Sequence, residues 1–127
     1  MLKAITLAGA LVAATLCAVT PSAIAAEAYI DGAGSMQCSA ITAGMKSDKA
    51  KPLANQLVGW AYGYMTRRNI ERANAGQRQV NLHGVDDFAP KMLATMMVLC
   101  EKAPDLYYYM AVDAFYEVLL KEQSPTS

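Results

Sequence analysis

Histidine is nearly absent: His83 is the only imidazole in 127 residues. Ser35, Ser39 and Ser47 stand in no context that would build a Ser-His-Asp constellation around it, and H-E-x-x-H would need a second imidazole. Cysteine is as sparse. Cys17, Cys38 and Cys100 form neither C-x-x-C nor C-x-x-C-H, so thiol-redox, zinc and covalent haem chemistry lack their ligands. A Gly-rich phosphate cradle is missing, and neither sign of charge predominates, with eleven Lys and Arg against eleven Asp and Glu. A balanced chain offers no electrostatic footprint for nucleic acid or an anionic membrane. His83 lies in an unpatterned stretch and reads as a surface loop residue. The expectation is a non-enzyme that takes no cofactor and no metal.

What the chain does have begins at its N-terminus. Met1-Leu2-Lys3 is a short basic start, and Ala4 to Val19 is an uncharged apolar run. Thr20-Pro21-Ser22-Ala23-Ile24-Ala25 then places Ala23 and Ala25 at the −3 and −1 positions of a signal-peptidase site. Residues 1–25 therefore read as a secretory signal peptide cleaved near Ala25 or Ala26, which predicts a periplasmic protein. Sixteen apolar residues fall short of the ~20 a membrane span needs, and Leu16 before Cys17 does not suit lipidation. Cleavage removes Lys3 and Cys17, leaving ten basic residues against eleven acidic, and two cysteines. An even pair in an exported chain predicts one disulfide, Cys38–Cys100. Closing a loop of that length contributes about 4 kcal/mol in the chain-entropy treatment.

Beyond the signal, residues 26–34 are polar and Gly-rich and read as a flexible lead-in. Ser35 is placed to cap a short helix through Cys38, Ile41 and Met45. Pro52 suits the first turn of a second helix, where Leu53, Leu57, Trp60, Ala61, Tyr64 and Met65 recur at three- and four-residue steps. Arg67, Arg68, Glu71 and Arg72 form its solvated tail, and Gly76 its C-terminal stop. Gln77 to Val85 has no period. Asp86-Asp87 read as a cap, ahead of a helix from about Phe88 to Lys102 with Phe88, Met92, Met96, Leu99 and Cys100 on one face. After Ala103-Pro104-Asp105 a last helix presents Leu106, Met110, Ala114 and Val118, with Tyr109, Phe115 and Leu119 beside them. The prediction is an all-α, single-domain helical bundle over 35–122, one short helix and three longer ones, with 123–127 frayed.

The stretch LVGWAYGYMTRRN, Leu57 to Asn69, carries the most functional content. Gly59 and Gly63 lie one turn apart, and each mid-helix glycine costs up to ~1 kcal/mol relative to alanine. Such a cost is offset where another helix approaches closely or a neighbouring ring needs the space. Trp60 and Tyr64 follow the same spacing on the adjacent face, as core or as contact surface. Tyr107-Tyr108-Tyr109 cannot all face one core at about 100° per residue, so Tyr107 or Tyr108 is expected outside. Met92, Met96 and Met110 add adaptable apolar surface. This excess of apolar and aromatic residues predicts an interaction protein, a homodimer being the simplest form.

With Cys38 opening a short helix, Trp60-Ala61-Tyr62-Gly63-Tyr64 as W-x-x-G-Y, and Cys100-Glu101-Lys102-Ala103-Pro104 as C-x-x-x-P, the chain resembles the HdeA/HdeB-type periplasmic acid-stress chaperones over about Met36–Leu120. Thr66 to Val85 is longer than that family's connection. The resemblance implies a disulfide-held helical dimer near neutral pH that loosens in acid and holds unfolding clients. Protonating eleven carboxylates would carry the processed chain from −1 to about +10, and self-repulsion of that size favours opening. Trp60, Tyr64, Met92, Met96 and Met110 would then be client contacts. A periplasmic immunity or inhibitor protein that blocks a secreted toxin, similar to the Rap1a/Tai family, is the alternative. The members of that group are expected to carry more cysteines than this chain has.

Overall fold

A 25-residue helix, flanked by shorter ones, organises the molecule. The computed structural model describes residues 29–124, so the signal segment, its cleavage site and residues 125–127 lie outside the described residues. In chain order the helices are α1, Cys38–Met45; α2, Ala50–Asn74; α3, Phe88–Lys102; and α4, Tyr108–Glu122. Two 3-10 turns, Gly32–Ser35 and Leu82–Gly84, complete the set, and no strand occurs among the described residues. The fold is thus a small all-α domain of one short and three longer helices.

Local chemistry explains most of the boundaries. Pro52 sits in the first turn of α2, where no helical hydrogen bond is asked of its nitrogen. At the other end Gly76 takes φ +66°, its N–H donates to the Ala73 carbonyl at 3.0 Å, and Gln77 N–H donates to Arg72 at 2.8 Å. This Schellman pair satisfies the last carbonyls. Two expected caps behave differently. Ser35 does not cap α1, because Gln37 holds that position; its hydroxyl instead donates to Gly32 O within the 3-10 turn at 2.9 Å. Asp87 does precede α3, but in the left-handed region (φ 49°) and with no side-chain cap bond.

The core is one cluster drawn from every helix. α1 gives Cys38 and Ile41, α2 gives Leu57, Ala61 and Met65, and α3 gives Met92, Met96 and Cys100. The Cys38–Cys100 disulfide joins the first residue of α1 to the end of α3, spanning 62 residues. α4 contributes most, with Tyr108, Ala111, Val112, Phe115, Tyr116, Leu119 and Leu120 buried. Its inward face differs from the expected stripe: Met110, Ala114 and Val118 face solvent. The helix carries two apolar stripes, and periodicity alone does not choose between them. A single antiparallel bridge chooses: Cys38 N–H donates to Leu106 O, and Tyr108 N–H to Met36 O, both at 2.8 Å. This fixes the phase at which α4 starts and turns Tyr108 inward.

Both segments expected to be loose are pinned where they are described. Ala33 and Gly34 are buried, and a Cβ on Gly34 would come within 2.0 Å of the Trp60 ring and 2.7 Å of Ile30. Gly34→Ala is accordingly expected to displace Trp60 and to cost about 1–3 kcal/mol as overpacking, read as a lower urea midpoint. At the far end, Glu122 pairs with Lys91 at 2.8 Å and the Gln123 side chain exchanges hydrogen bonds with the Asn81 backbone at 2.7 and 3.1 Å.

Candidate functional site

The Gly59–Gly63 stretch lies on the outer side of α2, where a groove of about 660 Å³ runs between that helix and the entering segment Tyr29–Asp31. Trp60 and Tyr64 line it, stacked with ring centroids 5.1 Å apart at 17°. Trp60 Nε1 donates to the Asp31 carbonyl at 3.1 Å, and its ring also packs at 5.7 Å against Tyr108. Both rings are therefore half-buried members of the core margin, with one edge toward the groove. The glycines are different. A Cβ at Gly59 or Gly63 would meet nothing within 4 Å, so within the described residues no helix and no ring needs the room they leave. Their cost is not offset among the described residues.

The remaining contact residues separate by burial. Tyr107 is 43% exposed and Met110 is 42% exposed, and Tyr107 stacks with Tyr109 at 6.4 Å. Tyr108, Met92 and Met96 are core and present no surface in the folded state. The Tyr108 hydroxyl donates to the Leu57 carbonyl at 2.9 Å, and burial pushes its phenol well above the ordinary tyrosine range. His83 is exposed, its ring 3.3 Å from the Tyr62 hydroxyl. Among the described residues no group of three or more His, Cys, Asp or Glu is placed to hold a metal, and no helix is long and apolar enough to cross a membrane.

Beside the groove sits a polar cluster that sequence patterning does not bring together. Arg68, expected in the solvated tail of α2, is instead folded against α4. It pairs with Asp113, and with Glu117 at 2.9 Å, while its guanidinium lies 4.7 Å over the Tyr116 ring. Tyr64 also donates to Asp113, at 3.1 Å. Burial raises the Tyr64 phenol and Asp113 reinforces the shift. For Arg68, burial works to lower the guanidinium, but bonds and charge from Asp113 and Glu117 outweigh it and raise it. Deeper in, Tyr116 donates to Asn69 Oδ1 at 2.6 Å, and the Asn69 amide brackets the Val80 backbone at 2.8 and 3.0 Å. Arg78 reaches Leu120 O at 2.6 Å. The Thr66–Val85 segment is thus an extension of α2 followed by a loop strapped to the bundle.

The sequence signal for the cluster was slight: Asp113 and Glu117, one turn apart on α4, mark an acidic edge in want of a cation, and Arg67-Arg68 supplies one. No protein-family model, curated protein or solved structure matches this chain.

Proposed function

We propose that this protein is an exported chaperone of the HdeA/HdeB type that holds unfolding polypeptides under acid stress. One observation carries the reading. Among the described residues, every ion pair that joins two helices ends on a carboxylate of α4: Arg68 with Asp113 and Glu117, and Lys91 with Glu122. The fourth pair, Arg67–Glu71, is local to α2.

An ion pair of this kind is lost when its carboxylate is protonated. Each partly exposed pair contributes only about 0–1 kcal/mol, so their loss alone loosens α4 without unfolding the chain. Repulsion adds to it, since the ten Lys and Arg of the processed chain remain charged when its eleven Asp and Glu are neutralised. Release of α4 would uncover Met92, Met96, Leu57 and the Trp60 ring, the adaptable apolar surface an unfolded client engages. The disulfide lies between α1 and α3 and is indifferent to protons, so the rest of the bundle keeps its connection.

The test is light scattering of an acid-denaturing client at pH 3 with and without the processed protein. Suppressed aggregation at pH 3 and none at pH 7 is the expected result. Aggregation unchanged at both pH values refutes the proposal.

A further inference from the structure

α4 carries little charge for a helix with so much surface. Of its fifteen residues, Tyr108–Glu122, only Asp113, Glu117, Lys121 and Glu122 are charged, and the other eleven are Tyr, Met, Ala, Val, Phe or Leu. One apolar stripe, Tyr108 to Leu120, is packed into the core. A second points outward in the folded state: Met110 is 42% and Val118 45% exposed, Ala114 lies between them, and Tyr107 just ahead of the helix is 43% exposed. Three carboxylates against one ammonium give the ionised helix a net of −2, and with the carboxylates protonated Lys121 is its one charge. The titratable and charged groups that face those carboxylates are Arg68 and Tyr64 of α2 and Lys91 of α3. Arg78 of the loop after α2 reaches the Leu120 carbonyl, and Gly32–Ser35, packed on the same helix, holds no charged side chain.

We infer that in acid the released α4 lies on an anionic phospholipid surface. A helix apolar on every side belongs in a core or in lipid, and protonation brings α4 close to that state. At about 22 Å, from 1.5 Å per residue, it is too short for a hydrocarbon core of about 30 Å, so it lies in the plane of the interface. Its ends suit that position. Tyr107, Tyr108 and Tyr109 gather amphipathic phenols at one end, the residues favoured where membrane meets water. At the other end the Lys121 stem can lie along the acyl region with its ammonium among the phosphates. Charge favours lipid over polypeptide. The ten Lys and Arg of the processed chain stay charged when its eleven carboxylates are neutral, which draws it to lipid phosphate. An acidified client is itself cationic and offers apolar contact alone. The inference goes beyond the proposed function by naming a second partner, and it rests on that reading only in the release of α4.

Co-flotation of the processed protein with vesicles of equal parts phosphatidylglycerol and phosphatidylethanolamine, from pH 7 down to pH 3, tests it. The wild type is expected to float with them at pH 3, to stay free at pH 7, and to ignore phosphatidylcholine vesicles at both. Met110→Gln with Val118→Gln takes two apolar side chains from the outer stripe and is expected to weaken binding at least ~10-fold. The urea midpoint of that variant at pH 7 should be unchanged, because both side chains are already partly solvated. Asp113→Asn with Glu117→Gln and Glu122→Gln is expected to move the onset of binding toward neutral pH. No flotation at pH 3, equal binding to phosphatidylcholine, indifference to the double substitution, or an onset unmoved by the triple one overturns the inference. An α4 open to hydrogen exchange at pH 3 with no flotation refutes the lipid partner alone. Client holding is read without vesicles, so either reading can fail while the other stands.

Discussion

Replacing Cys38 and Cys100 together with alanine is expected to lower the unfolding free energy by about 4 kcal/mol, the chain-entropy value for a loop of this length. The two residues are 62 apart in sequence and fully buried between α1 and α3. Small domains have total stabilities of about 5–15 kcal/mol, so this one bond decides whether the chain folds robustly. α1 depends on it most: eight residues give too few turns for a helix to persist alone. The urea midpoint of the double variant should fall well below that of the oxidised wild type, and reducing agent should bring the wild type down with it. Equal midpoints for oxidised and reduced protein would show that the bond carries no stability.

Tyr108→Ala is expected to cost about 3–5 kcal/mol, the range for deleting a large buried ring. That ring is fully buried, packs against Trp60 and ties its hydroxyl to Leu57 of α2. Tyr108→Phe separates the contributions, since losing the hydrogen bond alone should cost about 1 kcal/mol. The same phenol governs alkaline behaviour. Its proton is held more tightly in the folded state than in the unfolded chain, and so is that of Tyr64. Their contribution is therefore intact below the ordinary tyrosine value of about 10 and is lost as pH rises beyond it. Urea midpoints taken from pH 8 to pH 12 should decline from about pH 10 upward, and less steeply in Tyr108→Phe. A midpoint flat across that range would contradict the assignment.

Much of this architecture was legible in the residues. The Leu57–Ala61–Met65 spacing, Pro52 near the start of α2, Gly76 at its end and the two late cysteines marked three long helices, one short one and their covalent tie. The inward side of α4 was not legible, because Tyr107 to Leu120 is apolar on two faces and only the backbone pairing at Leu106 and Tyr108 settles its rotation. For the same reason the run Tyr107-Tyr108-Tyr109 does not reveal that Tyr108 anchors the core. Arg68 looked like one of several solvated charges, and its role depends on where α4 crosses α2, a tertiary fact with no local signature. The glycine pair was visible as an anomaly from spacing alone. Only the open space around Gly59 and Gly63 excludes an explanation within the described residues.

The acid response of α4 is the central physical claim, and hydrogen exchange of the processed, disulfide-intact protein at pH 3, corrected for intrinsic exchange and set against pH 7, measures it. Residues 108–122 should lose protection while 92–100 of α3 and 38–45 of α1 retain it. Protection of α4 undiminished at pH 3, or lost uniformly with that of the other helices, would mean that its carboxylates are not the acid-sensitive tie.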